Sequence, residues 1–294
     1  MNTVFTGSCV ALITPFKEGK VNYAALKNLL EYQIHNHTDA ILVCGTTGEP
    51  ATMTAEEKRE VIRFTVETVG RRVPVLAGTG GNNTEKVIED SLAAEALGVD
   101  ALLVVTPYYN KCTQRGLIQH YHMVADRVRT PIFVYNVPGR TGVNILPATM
   151  GEIVKHRNIV GVKEACGNMD QICETALHIA GNAALYSGDD GLTLPIMSLG
   201  ARGVISVTAN VIPEFMHNLT AAAEQGDFAG ALKMHRKLYP LAKAMFLEVN
   251  PIPVKTCANL LGLQAGELRM PLTPMEEGNE ARLRAAMADF GLVF

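Results

Sequence analysis

The sequence has no strong excess of charge of either sign, no long apolar run and no paired-cysteine spacing. Each absence removes a class of function. Its 26 Lys and Arg against 29 Asp and Glu leave a net charge of −3. That balance offers phosphates no basic face, so nucleic acid is not expected as a partner. No apolar stretch reaches the ~18 residues of a membrane helix, so no membrane partner is expected either. The opening MNTVFTGSCV lacks the basic segment and apolar run of a secretion signal. Six cysteines, at 9, 44, 112, 166, 173 and 257, include no CxxC. They read as free thiols in a reducing cytoplasm. "GTGGNN", 78 to 83, lacks the third glycine of a dinucleotide fingerprint, and there is no P-loop. His120 and His122, two apart on a helical stretch, point to different faces and make a poor metal pair. Asp189 and Asp190 are better explained by a helix N-terminus near Gly191 than by a cation. Cys44 and Cys166 read as packing residues. No cofactor and no metal is expected.

The 294 residues are 48% hydrophobic and 19% charged, ordinary for a soluble enzyme of two domains or one α/β barrel. Strand-like runs fall at Cys9–Ile13, Ala40–Cys44, Val73–Ala77, Ala101–Thr106, Ile132–Tyr135, Ile159–Lys163, Ala184–Ser187 and Val204–Val207. Amphipathic stretches such as Tyr23–His35, Ala55–Val69, Glu85–Leu97 and Gly116–Val128 lie between them. Near-continuous apolar strands alternating with helices predict a parallel sheet covered on its outside. Eight such units close into a (β/α)8 TIM barrel; an open doubly wound sheet is the competitor. After about residue 211 the pattern is helical, at Pro213–Glu224, Phe228–Phe246, Pro253–Leu261 and Met275–Ala288. The expected organisation is a barrel over 1–210 carrying the active site, with a helical region over 211–294 packed on it. "EVNPIPVK", 248 to 255, reads as an extended linker, because a residue before proline is pushed away from helix.

On this frame the unusual polar residues converge. Thr46 and Thr47 follow the second strand, Tyr108 and Tyr109 the fourth, and Gly188 the seventh, while Tyr135 ends the fifth and Lys163 the sixth. All face the rim where barrel enzymes keep their sites. Lys163 ends an apolar strand, where burial favours the free amine that attacks a ketone. The other reading pairs it with Glu164 or lets it snorkel to water. Tyr135 is a general acid–base or a tyrosine capping the core. Together with Thr46 and Tyr109 it offers three hydroxyls along which a proton can pass. "GTTGE" can hold a carboxylate on hydroxyls and backbone amides, or be a plain βα turn whose threonine caps the next helix. Arg140, in a Pro/Gly turn, can grip a carboxylate in bidentate fashion or be a solvated loop arginine.

"GTTGE", "VTPYYN", "YNVPGRTG", "GVKEA", "SGDD" and "GVISVTAN" occur in that order, with "NPIPVK" and "LRMPLTP" near the C-terminus. Over essentially its whole length the chain thereby resembles the pyruvate-dependent class I aldolase and lyase family. The closest likeness is to the branch that joins pyruvate to aspartate 4-semialdehyde. The resemblance implies that Lys163 forms an imine with pyruvate, Tyr135 transfers protons and Thr46 relays them. It implies that Tyr109 enters a neighbouring subunit's site, in a homo-oligomer expected to be a tetramer built as a dimer of dimers. It places Thr47 at the pyruvate carboxylate, Arg140 at the semialdehyde carboxylate, and Gly188 and Ile205 at backbone positions around the lysine. Sugar-acid lyases such as the N-acetylneuraminate lyases share the lysine and tyrosine but typically lack the Arg-Thr-Gly turn, so retro-aldol cleavage of a 2-keto-3-deoxy sugar acid is the alternative. A catalytically dead binding barrel is disfavoured because Lys163 and Tyr135 are both present. Feedback-regulated members bind free lysine through two histidines, an Asn, a Glu and a Tyr. The matching positions are Ala55, Lys58, Asn82, Lys86 and Tyr108. Two lysines there repel a cationic effector, although Glu85 lies one position from the expected acid. Weak or absent lysine inhibition is expected.

Overall fold

Apolar runs that cannot show one face to water become strands buried on both. The structure, a computed structural model, describes residues 3–294. Its barrel strands are β1 (Gly7–Ala11), β2 (Ala40–Val43), β3 (Val75–Gly78), β4 (Ala101–Val105), β5 (Ile132–Asn136), β6 (Ile159–Glu164), β7 (Ala184–Ser187) and β8 (Gly203–Ser206). They close in the order 1-8-7-6-5-4-3-2, all parallel, so the expected (β/α)8 barrel is what the chain forms. A short hairpin, Phe16–Lys17 with Lys20–Val21, lies outside this pattern and was not foreseen.

The helices are α1 (Tyr23–His35), α2 (Ala55–Val69), α3 (Thr84–Ala96), α4 (Gln114–Arg127), α5 (Pro138–Thr141), α6 (Pro147–Ile153), α7 (Met169–Ile179), α8 (Thr193–Met197), α9 (Pro213–Glu224), α10 (Phe228–Ala244), α11 (Ile252–Leu260) and α12 (Glu277–Phe290). Their starts are chemically marked. Asn22 caps α1 by accepting from Ala25 N, and Thr54 and Glu57 form a reciprocal capping box on α2. Helix α9 packs on β1 and β8 and supplies the outer layer of the eighth unit, and α10 and α12 stack beyond it.

Alternation along each strand divides the core in two. Val10, Ile132 and Val134 face outward into the layer shared with the helices, whereas Cys9, Ala11, Phe133, Tyr135, Tyr186 and Ile205 fill the barrel interior. Burying one such aliphatic side chain contributes ~1.5–3 kcal/mol. Space inside is tight. A Cβ on Gly161 would lie 2.5 Å from the Phe133 ring, so only glycine fits opposite that phenylalanine.

The stretch 248–255 differs from its expectation. Rather than an extended linker, residues 245–251 form successive turns and bends, and α11 begins at Ile252. Two hydrogen bonds fold it back. Ile252 N donates to Val249 O, and the Asn250 amide reaches across the barrel mouth to Thr47.

Candidate active site

Strand register decides where the unusual lysine goes. Tyr135 on β5 pairs with Lys163 on β6, and both side chains turn into the barrel. Glu164, the next residue, turns outward, where its carboxylate accepts from Asn136 Nδ2 at 3.1 and 3.2 Å and from Cys166 N at 2.9 Å. Lys163 therefore neither pairs with Glu164 nor reaches bulk water. It is 5% exposed and joins none of the lysine ion pairs among the described residues. Its Nζ lies 4.2 Å from the centroid of the Tyr135 ring.

Burial lowers the Lys163 amine from its ordinary range to about 8; nearby Cys9 and Asp190 oppose this and Arg140 reinforces it. Cys9 is itself pushed far upward by burial, which leaves it a neutral thiol. Asp190 is the acid on the opposing side: burial raises its carboxyl, while hydrogen bonds from Ser206 and Thr208 hold it down, and its Oδ2 accepts from Val207 N, Thr208 N and Thr208 Oγ1 at 3.1, 2.8 and 2.6 Å. Asp189 caps the short turn at Gly191, as the sequence suggested. Burial pushes the Tyr135 phenol up to about 12, while Arg140 and a hydrogen bond with Thr46 pull it down. At neutral pH Tyr135 keeps its proton and can pass one on without holding charge.

The residues around this pair come from the strand ends. "GTTGE" forms two short 3₁₀ turns, Thr46–Gly48 and Pro50–Thr52, pivoting on Glu49 in the left-handed region at φ 55°. The helix that follows is capped by Thr54, so Thr46 and Thr47 remain available to the site. The hydroxyl of Thr47, buried, accepts from Asn250 Nδ2 at 2.9 Å. Arg140, on α5, donates from Nη2 to Asn250 O at 3.0 Å rather than being free in solvent. A Cβ on Gly188 would lie 3.0 Å from Lys163 Cε and 2.9 Å from Ala165 Cβ, so the lysine needs a glycine beside it.

Lys163, Tyr135, Thr46, Thr47, Arg140 and Gly188 line one cavity of about 120 Å³. Thr46, Tyr135 and Arg140 also line a wider cleft of about 800 Å³, which Tyr109 shares. Two expected residues stand apart. Ile205 is buried in the barrel interior and is not in the lining of the smaller cavity. Tyr109, 90% exposed with φ +70°, is on the outer cleft and does not reach that cavity within one chain. Residue reasoning missed Asn250 and Phe246, which line the smaller cavity from the C-terminal turn. The segment "NPIPVK" contains Asn250, but its prolines mark only the backbone course and give no sign of the side-chain contact with Thr47. The other candidates are accounted for structurally. His120 meets Thr84 and His122 meets Ile153 O, and no metal-binding cluster occurs among the described residues.

A buried amine whose hold on its proton is weakened, beside a protonated phenol at the carboxyl ends of barrel strands, is the equipment of a barrel enzyme that works through an imine. The chain belongs to the Dihydrodipicolinate synthetase family, whose model matches residues 4–289. It is 51% identical over 291 residues to the 4-hydroxy-tetrahydrodipicolinate synthase of Thermoanaerobacter sp. (strain X514), covering 99% of this chain and 98% of that one. The crystal structure of dihydrodipicolinate synthase from Aquifex aeolicus superposes with a TM-score of 0.95 at 50% identity, covering 98% and 99% of the two chains. That from Thermotoga maritima gives 0.97 at 43% identity, covering 99% and 100%.

Proposed function

We propose that this protein condenses pyruvate with L-aspartate 4-semialdehyde to 4-hydroxy-tetrahydrodipicolinate, the first committed step of the diaminopimelate route to lysine. The observation that carries it is the Lys163 amine, 5% exposed and without an anionic partner among the described residues, in one cavity with Tyr135, Thr46 and Thr47. In this reading Thr47 and the turn around it take the pyruvate carboxylate. The free amine adds to the ketone, and water leaves with protons moved by Tyr135 and Thr46. The protonated imine draws electrons from the methyl C–H, so loss of that proton gives an enamine without a metal. The enamine carbon attacks the aldehyde of the second substrate, whose carboxylate Arg140 binds. The semialdehyde's amine then closes the ring on the former ketone carbon and releases Lys163. The names of the relatives support the choice of substrates, and the Arg-Thr-Gly turn favours it over a sugar acid.

Arg140→Ala should lose semialdehyde turnover by about two orders of magnitude, the scale of a lost charge-assisted carboxylate contact, while borohydride still traps pyruvate on the protein. Normal turnover in that variant would remove Arg140 from its role.

The active unit in this reading is a homotetramer, a dimer of dimers, with Tyr109 of each chain completing a neighbour's site. Its almost fully exposed ring supports this. The cytoplasm is the proposed compartment, consistent with six unpaired cysteines and with no described helix long and apolar enough to cross a membrane. Lysine is a poor effector in this reading. Lys86 binds Asp90 at 2.5 Å and Glu89 at 3.4 Å, and Lys58 lies 4.0 Å from Asp90, so the cationic places are filled and their acids engaged. Steady-state titration with lysine should leave most activity intact at about 1 mM, whereas half-inhibition below that would contradict the reading.

A further inference from the structure

Two buried charges far apart in sequence meet beneath the "GTTGE" turn, and the reaction above uses neither. Glu49 and Lys255 side chains are each 1% exposed, and Lys255 Nζ lies 2.8 Å from Glu49 Oε1. The ammonium also donates to Thr14 O at 2.9 Å and to Glu267 O. The second carboxylate oxygen, Glu49 Oε2, accepts from Arg269 N at 3.1 Å. The Arg269 guanidinium in turn binds Glu57 and Thr52 O on the far side of the turn. Thr14 Oγ1 donates to Gly48 O, so the strand-one loop is tied into the same knot. Glu49 occupies a left-handed backbone position directly after the 3₁₀ turn that holds Thr46 and Thr47. The turn's own 3₁₀ hydrogen bonds are few, and its anchorage comes from "NPIPVK" and "LRMPLTP", some 200 residues away in the chain. A buried ion pair is a weak stabiliser compared with apolar packing. Its geometric value is that both partners must keep one arrangement.

We infer that the Glu49–Lys255 pair is a positioning device that fixes the Thr46–Thr47 turn against Lys163, making the C-terminal helical region part of the catalytic apparatus. The inference rests on the proposed roles of Thr46 and Thr47. Misplacement of a binding group by about 1 Å can cost as much as ~10²-fold in rate, so release of this turn should act on pyruvate first.

The test separates position from stability. Glu49→Asp keeps the charge and withdraws it by one methylene. It should fold, raise KM for pyruvate about tenfold and slow borohydride trapping at Lys163, with little change in KM for the semialdehyde. Lys255→Met leaves a buried unpaired carboxylate and should lower the thermal midpoint. Adding Glu49→Gln to it removes that charge and should restore the midpoint without restoring pyruvate KM. Wild-type pyruvate KM in Glu49→Asp, or recovery of KM together with the midpoint in the double variant, would overturn the inference by making the pair purely structural. Failure of the wild-type protein to trap pyruvate at all would instead remove the proposed reaction beneath it.

Discussion

Lys163→Met is expected to abolish turnover, by about 10⁴-fold or more, while making the protein more stable. Both halves follow from one fact: a primary amine sits where an apolar side chain would be at ease. Methionine has similar length and no charge, so the cavity stays filled. The sign of the stability change comes from linkage. The amine's folded value, about 8, lies below its ordinary 10.5, so the unfolded chain binds the proton more tightly. Stability therefore rises with pH between those values, and below about 8 the folded protein carries the full penalty. Removing the amine should raise stability near neutral pH by up to about 3 kcal/mol, at 1.36 kcal/mol per tenfold in proton affinity. Pairing the thermal midpoint with an assay reads both. Retained turnover, or a lowered midpoint, would contradict the role given to this residue.

Tyr135→Phe should reduce kcat by about 10²–10⁴-fold, the usual scale for losing a positioned acid–base group. The phenol is buried and paired in register with Lys163, with Thr46 and Arg140 moderating the rise in its pKa, so in the proposed reaction it is the group that protonates the departing oxygen. The nucleophile is untouched. Borohydride trapping should consequently be slower but reach the same final mass gain. A rate within a factor of about three of the parent would assign the proton transfers elsewhere.

The barrel was legible because parallel strands covered by helices are apolar throughout, and runs such as Ala101–Val105 and Ile159–Val162 have no polar face to mislead. Lys163 stood out for the same reason, as a cation in a context that normally excludes one. What stayed hidden depends on contacts without a local pattern. The Phe16–Val21 hairpin is too short for periodicity to register. Asn250 and Lys255 act on residues more than 200 positions earlier, and nothing in their neighbourhood indicates the Thr47 hydroxyl or the Glu49 carboxylate that they meet. The outward turn of Glu164 was in principle readable, since adjacent strand residues face opposite sides, and that rule would have removed the Lys163–Glu164 pairing at once.

The central claim is that Lys163 is the covalent nucleophile and is free to act near neutral pH. The direct measurement is borohydride reduction in the presence of pyruvate across a pH series, read by intact mass and peptide mapping. The expected result is a single pyruvate-derived mass gain on the peptide carrying Lys163, with a rate that rises through a midpoint of about 8. Absence of the adduct, its location on another lysine, or a midpoint near the ordinary 10.5 would contradict it.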